Sequence, residues 1–373
     1  MPFPWLLQRP TFTYESLLTE FAALSEEEQQ RIVRERYGLE TSVEETPDLV
    51  TDKLQCFESA LDNIEQKEAY ETALFVIPEH VESDQFRLAF LRADDFDEKA
   101  AAVRMVKYWE RKVELFGADT AFKPHLSLLD YNEEDYKALV KGGIRLLPFR
   151  DDHGRAVVFN YTMYFERNSK AMYKLFWWVM HKGIFDSQGG IDTQKKGFIV
   201  LGGNPPRHIT DVLGGDQRSW HEFNDTRKTL YKDWTSVLPL KTAAIHRFQT
   251  NVHSELLFEH GLRYMDLKLR NMIFMHDTND MFSTVYLLLS CGVRPEIVPW
   301  ELGGGLDFNY QQWVADCLEK DLQKAGMLRK GGDAVGDEAV QKIPQLETLQ
   351  ELLPFYRLKE MELRTSMMSQ HAE

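Results

Sequence analysis

The second half of the chain alternates short apolar stretches with helical segments, and no other feature restricts the fold as strongly. Five stretches have the character of strands: GIRLLPFR, RAVVFNY, KKGFIVLGG, AAIHRFQTN and NMIFMHD. Helical periodicity marks Ser169 to Phe185 and Asp216 to Val237, which lie between them. This alternation predicts a largely parallel α/β sheet covered by helices, with a hairpin or tight loop at Asp151-Asp-His-Gly.

The first third of the chain is expected to be helical, with acidic outer faces. Helical apolar spacing covers three segments: Thr13 to Leu24, Ser25 to Tyr37 and Thr51 to Leu74. Ser25 followed by Glu28 is typical of a capping box. Two further helices are predicted in SDQFRLAFLRADDFDEKAAAVRMVKYWERKVELFG, with Asp95 or Asp97 as the cap of the second.

The charge balance and the cysteines restrict the class of protein. The net charge is −15, with 44 Lys and Arg against 59 Asp and Glu, which argues against nucleic-acid binding. The three cysteines show no C-x-x-C spacing and favour reduced thiols. There is no basic n-region of a signal peptide and no apolar run of about 18 residues. We therefore expect a cytoplasmic protein.

The histidines of HSELLFEH do not have the spacing of a metal site. On a helix, His253 and His260 fall on one face, whereas Glu255 and Glu259 fall on the far side. One metal ion therefore cannot collect them, and H-E-x-x-H is absent. No phosphate-binding glycine loop or G-x-S-x-G elbow is present either. We expect no catalytic residue, no metal and no cofactor, and hence no enzyme.

A second polar group follows the last predicted strand. His276, Asp277 and Asp280 could form a metal or acid–base cluster. The favoured interpretation is that Asp277 or Asn279 caps the next helix, NDMFSTVYLLL.

The stretch after His253 has one broad apolar helical face. It consists of Leu257, Phe258, Leu262, Tyr264 and Met265. A basic cluster follows the stretch, formed by Arg263, Lys268 and Arg270. Two interpretations remain open: a core helix with a solvated outer face, or a helix that covers an apolar cavity and can meet a membrane.

Several blocks, taken in order, resemble the CRAL-TRIO family of lipid-binding proteins. FRLAFLRADDFDEKAAAVRMVKYWER is similar to the family's F-L-R-A-x-x-F-D helical hairpin, and RAVVFNY follows an Asp-x-x-Gly-Arg turn where members carry a G-R-P-V strand. SVLPLKTAAIHRFQTN resembles the Y-P-E-R and I-N-A-P block, NMIFMHDTND resembles the K-I-x-x-L-G strand, and VPWELGG resembles L-P-x-E-x-G-G. The resemblance covers roughly Ser83 to Phe308.

The resemblance implies an α/β lobe whose mostly parallel, twisted sheet floors an apolar pocket, preceded by an all-helical N-terminal lobe. It divides the chain into four parts: an acidic helical extension (1–80), the helical lobe (81–136), the lipid-binding domain (137–308), and a C-terminal helix and tail (309–373). The family's mobile gate helix corresponds to His253 to Asn271.

The resemblance and strand alternation together imply which residues contact a ligand. The expected lipid-binding residues are Phe176, Phe198, Val200, Ile245, Arg247, Ile273 and Met275. The expected gate residues are Leu257, Phe258, Leu262, Tyr264 and Met265, and the expected membrane contacts are Arg263, Lys268 and Arg270. A buried Arg247 needs a partner, which is either a protein carboxylate or an acidic head group of the ligand.

Departures from the family pattern bear on ligand identity. Leu240 and Met272 replace the acid and the base that hold inositol phosphate in phosphatidylinositol-binding members, and Asp94-Asp95 replaces a basic pair. Phosphatidylinositol held in that manner is therefore not expected. An isoprenoid, a sterol, a carotenoid or another phospholipid fits equally well.

The expected function is to bind one hydrophobic ligand in a gated pocket and to exchange it at membrane surfaces, with transient peripheral attachment. The alternative is a regulatory or scaffold protein whose lipid lobe only senses or anchors. In that case a protein partner would bind the N-terminal helices or the C-terminal tail.

Overall fold

The fold is taken from a computed structural model. It describes residues 13–39, 43–161, 169–185, 189–203, 217–249, 258–259, 261–277, 280–327 and 344–370. None of the helices in these ranges is both long enough and apolar enough to cross a membrane.

Helices make up the N-terminal part. They are α1 (Tyr14–Ala22), α2 (Glu26–Arg36), α3 (Pro47–Asp62), α4 (Glu68–Val76), α5 (Pro78–Val81), α6 (Asp84–Ala93), α7 (Glu98–Phe116), α8 (Ala118–Ala121) and α9 (Glu133–Lys141). Ser25 and Glu28 form the predicted capping box at α2, and Asp97 caps α7 by accepting from the backbone N–H groups of Lys99 and Ala100.

Strands and helices alternate in the rest of the chain. The elements are β1 (Ile144–Arg150), β2 (Ala156–Tyr161), α10 (Ser169–Phe185), α11 (Gly190–Lys196), β3 (Phe198–Gly203), α12 (Gln217–Ser236), β4 (Thr242–Gln249), α13 (Leu267–Arg270), β5 (Ile273–Asp277), α14 (Met281–Ser290), α15 (Tyr310–Lys324) and α16 (Pro344–Gln370).

The strands form a five-stranded sheet in the order β1-β2-β3-β4-β5. β1 is antiparallel to β2, and the remaining neighbours are parallel. The carboxylate of Asp151 fixes the β1–β2 turn by accepting from the backbone N–H groups of His153 and Arg155, and Gly154 there has a φ of +77°. The predicted largely parallel sheet and the predicted hairpin are both confirmed.

Each face of the sheet packs into its own apolar cluster. We call the face that carries Val200, Ile245 and Ile273 the front face, and its cluster includes residues of α10 and α12. The opposite, back face carries Ile199 and Phe274 and packs against α14 and the turns that follow it. The alternation of side chains along a strand accounts for this division.

The front cluster also extends into the N-terminal and C-terminal helices. Leu17, Phe90, Val200 and Leu318 all belong to it, so one apolar core contains residues from each of the four expected parts of the chain.

Arg155 fixes α2 against the sheet. Its buried guanidinium donates to the carbonyl oxygens of Glu35 and Arg36 at the end of α2, at 3.0 and 3.1 Å. It also donates to the Asp151 carboxylate at 2.6 Å and to the Cys291 carbonyl oxygen at 2.7 Å. A cation here satisfies carbonyl groups that the end of a helix leaves unpaired.

The prediction of one helix from Thr51 to Leu74 is wrong. α3 begins earlier, at Pro47, where Thr46 caps the helix and proline fits its first position. It ends at Asp62, and α4 begins at Glu68. Lys67 donates to the carbonyl oxygen of Leu61 at 2.7 Å, which stabilises the break.

Candidate ligand-binding site

Two rows of residues cross the front face in register from β2 to β5. The first row is apolar: Val158, Val200, Ile245 and Ile273. The second row lies two residues further along each strand: Asn160, Gly202, Arg247 and Met275. The face therefore changes from apolar to polar toward the carboxyl ends of the parallel strands, where ligands of open α/β sheets usually bind.

The residues expected to line the pocket share this face. Phe198, Val200, Ile245 and Ile273 are buried in the front cluster, and Met275 packs against it. Phe176 of α10 is also buried there, with its ring 5.7 Å from that of Trp234 on α12. Strand alternation thus predicted the shared face, while the role of these residues as a pocket wall stays a prediction.

The described part of the connection between β4 and β5, residues 258–259 and 261–272, packs against the front face. Four of its side chains are buried in the front cluster: Phe258, Leu262, Met265 and Leu269. Tyr264 is half-buried, and Leu257, like His253 and His260, lies outside the described residues. Three of the expected gate residues, Phe258, Leu262 and Met265, are therefore buried in the front cluster, and Tyr264 is not part of it.

The helix of this connection does not continue through Met265. Helical backbone ends at Leu262, and Asp266 then caps α13 by accepting from the N–H of Leu269 at 2.7 Å. The prediction of one continuous helical face through Met265 did not include this break. Asp266 competes for backbone N–H groups that would bond within a longer helix.

Arg247 is a buried cation among apolar side chains. It is 8% exposed, its Nε is buried without a hydrogen-bond partner, and its guanidinium carbon lies 5.2 Å from the centre of the Phe258 ring. Among the described residues, no carboxylate pairs with it. Burial, together with the nearby charge of Arg227, lowers the pKa of Arg247 to about 10, while Tyr231 acts in the opposite direction.

Arg227 brings a second guanidinium to the same place. It projects from α12, is 8% exposed, and packs so closely on Gly261 that a Cβ there would lie 1.7 Å from its terminal nitrogen. Glycine at 261 is therefore required for this contact between α12 and the β4–β5 connection. Sequence reasoning missed Arg227 because nothing local relates it to Arg247, which lies in another element.

The three expected membrane-contact cations differ in their surroundings. Arg263 is exposed, and it donates to the Tyr264 hydroxyl at 2.7 Å. Lys268 is half-exposed and pairs with Asp95 at 3.3 Å. Arg270 is largely buried in an ion pair with Glu20 of α1, so its charge is already engaged within the protein.

Asp95 and Leu240, two of the positions expected to bear on ligand identity, lie close together. Asp95 pairs with Lys268 at 3.3 Å and with Lys241 at 3.4 Å, and Lys241 follows the buried Leu240. Burial raises the pKa of Asp95, but Lys268 and Lys241 outweigh it and hold that pKa below its ordinary value. The α6–α7 turn is therefore tied to the start of β4 and to α13.

On the back face, His276 contacts His246, while the side chain of Asp277 lies outside the described residues. Nε2 of His276 lies 2.9 Å from Nδ1 of the buried His246, and the two rings stack. The expectation that Asp277 or Asn279 caps the next helix is wrong, because Asp280 caps α14 by accepting from the N–H of Ser283 at 3.0 Å. Within the described ranges, no three His, Cys, Asp or Glu side chains are grouped as a metal site requires.

No protein-family model matches the chain, and no curated protein matches it in sequence. The geometry of the front face and of the described residues that pack on it is therefore what indicates a function.

Proposed function

We propose that this protein binds one hydrophobic, lipid-like molecule between the front face of the sheet and the β4–β5 connection, and exchanges it at membrane surfaces. The observation that carries the proposal is that Phe258 and Leu262 of this connection share one apolar cluster with Val200, Ile245 and Ile273. The proposal includes membership of the CRAL-TRIO family, which the ordered sequence blocks support.

The physical basis of the proposal is burial of apolar surface. A lipid that leaves a bilayer loses about 0.8 kcal/mol of stabilisation for each CH₂ group, and an apolar lining offsets this loss. Because β4 and β5 are parallel neighbours, their connection must cross one face of the sheet, and its described part, residues 258–259 and 261–272, packs on the front face. Displacing it would uncover the first row without breaking the sheet. No covalent step is needed.

Contact with a membrane is proposed for the outer side of the same connection. Arg263, Leu267 and Lys268 are exposed there, which places an apolar side chain between two cations. Such a group can insert one residue below the head groups while its cations meet lipid phosphates.

Mass spectrometry of the organic extract of the purified protein tests the binding step. We expect one class of hydrophobic small molecule in about equimolar amount. Transfer of a fluorescent lipid between donor and acceptor vesicles then tests exchange. If no hydrophobic molecule co-purifies and none can be loaded, the proposal fails.

A second candidate function, a scaffold that senses or anchors, is favoured by the C-terminal helix. α16 exposes Phe355, Leu358 and Met361 at a spacing of three residues, while Leu349 of the same helix is buried in the front cluster. An exposed apolar stripe of this kind suits a partner protein. Retained lipid binding with no transfer between vesicles would favour this function over exchange.

A further inference from the structure

Burying Arg247 on an apolar face costs free energy. A guanidinium removed from water loses several kcal/mol of solvation unless a counter-charge and hydrogen bonds replace it. The Phe258 ring at 5.2 Å supplies only a cation–π contact, which offsets a small part of that loss. Because its pKa stays near 10, Arg247 is charged at neutral pH.

A second guanidinium lies near that of Arg247. Arg227 of α12 packs on Gly261 of the β4–β5 connection and lies close enough to lower the pKa of Arg247. A charge of the same sign disfavours the charged form of Arg247 in this place.

The position of the charge defines an orientation. Gly202 on β3 is the register partner of Arg247 on β4. A Cβ at position 202 would lie 3.3 Å from a terminal nitrogen of Arg247. The guanidinium therefore lies across β3, where the missing side chain gives it room. The apolar first row begins two residues earlier on each strand, with Val200 and Ile245.

This position differs from the one that holds inositol phosphate in phosphatidylinositol-binding members. Leu240 and Met272 precede β4 and β5, at the amino ends of these strands. Arg247 lies about 16 Å further along β4 than Thr242, at the usual rise of a strand. The charge of Arg247 thus lies near the carboxyl end of β4, whereas Leu240 and Met272 lie at the amino ends of β4 and β5.

We infer that the ligand is an anionic amphiphile, with a carboxylate or phosphate head group held by Arg247 beside Gly202 and an apolar chain along the first row. The inference rests on the proposed function and adds the chemical class of the ligand. Neutral isoprenoids, sterols and carotenoids do not fit it, because among the residues that the structure describes no carboxylate offsets the charge of Arg247.

Matched fluorescent probes that differ only in head-group charge test the inference on the delipidated protein. The first pair is cis-parinaric acid and parinaryl alcohol, and the second is a labelled phosphatidic acid and the diacylglycerol with the same chains. We expect the charged member of at least one pair to bind about 10- to 100-fold more tightly, as a charge-assisted hydrogen bond supplies. The pair that shows the larger preference separates a carboxylate ligand from a phosphate ligand.

Arg247→Met is the decisive variant because it keeps most of the apolar stem and removes the charge. It should lose the preference for the charged probe while binding of the neutral probe stays within about threefold of wild type. Arg294→Met, at a position 56% exposed, should leave the preference unchanged. Without ligand, Arg247→Met should melt at the same temperature as wild type or higher, because a buried unpaired charge is gone.

The outcomes separate this inference from the proposed function. Equal binding of charged and neutral probes by wild type overturns the head-group assignment and leaves lipid binding intact. Binding of none of the four probes, together with no co-purified lipid, overturns lipid binding itself. A clearly lower melting temperature of ligand-free Arg247→Met shows that the charge serves the protein, and also overturns the assignment.

Discussion

Arg270 and Glu20 lie 250 positions apart in the chain and form a two-bond ion pair. Nε and one terminal nitrogen of Arg270 donate to the two carboxylate oxygens of Glu20, at 2.8 and 2.9 Å. Arg270 ends α13 at the base of the β4–β5 connection, and Glu20 lies on α1. The N-terminal helix therefore holds the base of the segment that covers the front face.

Glu20→Gln should loosen this attachment. A charged, half-buried pair of this geometry contributes about 1 kcal/mol, so amide hydrogen exchange at residues 261–270 should increase roughly fivefold. Release of a bound lipid should accelerate by a similar factor if opening of the connection limits it. Glu15→Gln, an exposed carboxylate on the same helix, is the matched control. Equal exchange in both variants would show that the pair does not restrain the connection.

Arg155→Met should destabilise the whole protein by about 3–5 kcal/mol. It leaves the Asp151 carboxylate buried without its cation and two carbonyl groups at the end of α2 without donors. Urea denaturation measures the free energy of unfolding. Arg294→Met removes an exposed arginine that pairs with Asp152 at 2.8 Å and should cost less than about 1 kcal/mol. Similar losses in the two variants would contradict the structural role of Arg155.

The sequence predicted features that depend on local periodicity better than features that depend on distant partners. Alternation along β3, β4 and β5 put Val200, Ile245 and Ile273 on one face, because side chains of a strand point to opposite faces in turn. The pairs Glu20–Arg270 and Asp95–Lys268 gave no such signal, since each joins residues more than 170 positions apart. Arg247 could be recognised as unusual from the strand pattern, but Arg227 could not.

The choice among candidate helix caps depends on distant partners in the same way. Several polar residues near an end can each act as a cap, and tertiary packing decides which one does. Asp280 rather than Asp277 caps α14, and Asp97 rather than Asp95 caps α7. Asp95 does not cap α7, because its carboxylate forms ion pairs with Lys241 and Lys268. Both lysines are distant in the chain, so the sequence around Asp95 does not indicate these pairs.

The buried pair His246 and His276 should make stability depend on pH. Burial lowers the pKa of His276 to about 4. Burial, and after it the charges of His276, Arg155 and Arg36, lower the pKa of His246 well below its ordinary value. Since the ordinary histidine pKa is near 6.5, both histidines of the unfolded chain bind protons between pH 6.5 and pH 4, whereas in the folded protein they do not. The contribution of the pair to stability is therefore fully present above pH 6.5, and the shift of His276 alone removes about 3 kcal/mol as the pH falls to 4.

The double variant His246→Leu with His276→Leu checks this assignment. Urea denaturation from pH 7 to pH 4 should give a shallower loss of stability than in wild type, because the two groups no longer titrate. At pH 7 the double variant should be nearly as stable as wild type. Removing both partners of a buried hydrogen bond leaves neither an unpaired donor nor an unpaired acceptor from that bond. An unchanged pH slope would assign the effect to other groups, such as His80, whose pKa burial also lowers to about 4.

Phe258→Ala should reduce ligand retention by more than its effect on folding explains. The buried ring of Phe258 lies over Arg247 and belongs to the front cluster, so its loss removes part of the proposed ligand cover. Phe274→Ala is the matched control, because Phe274 is equally buried but packs on the back face. Each variant should lose about 3 kcal/mol of unfolding free energy to the cavity it leaves. Only Phe258→Ala should also lower occupancy by co-purified lipid, by about tenfold. If both lower it equally, lipid retention reports general stability and not a cover at Phe258.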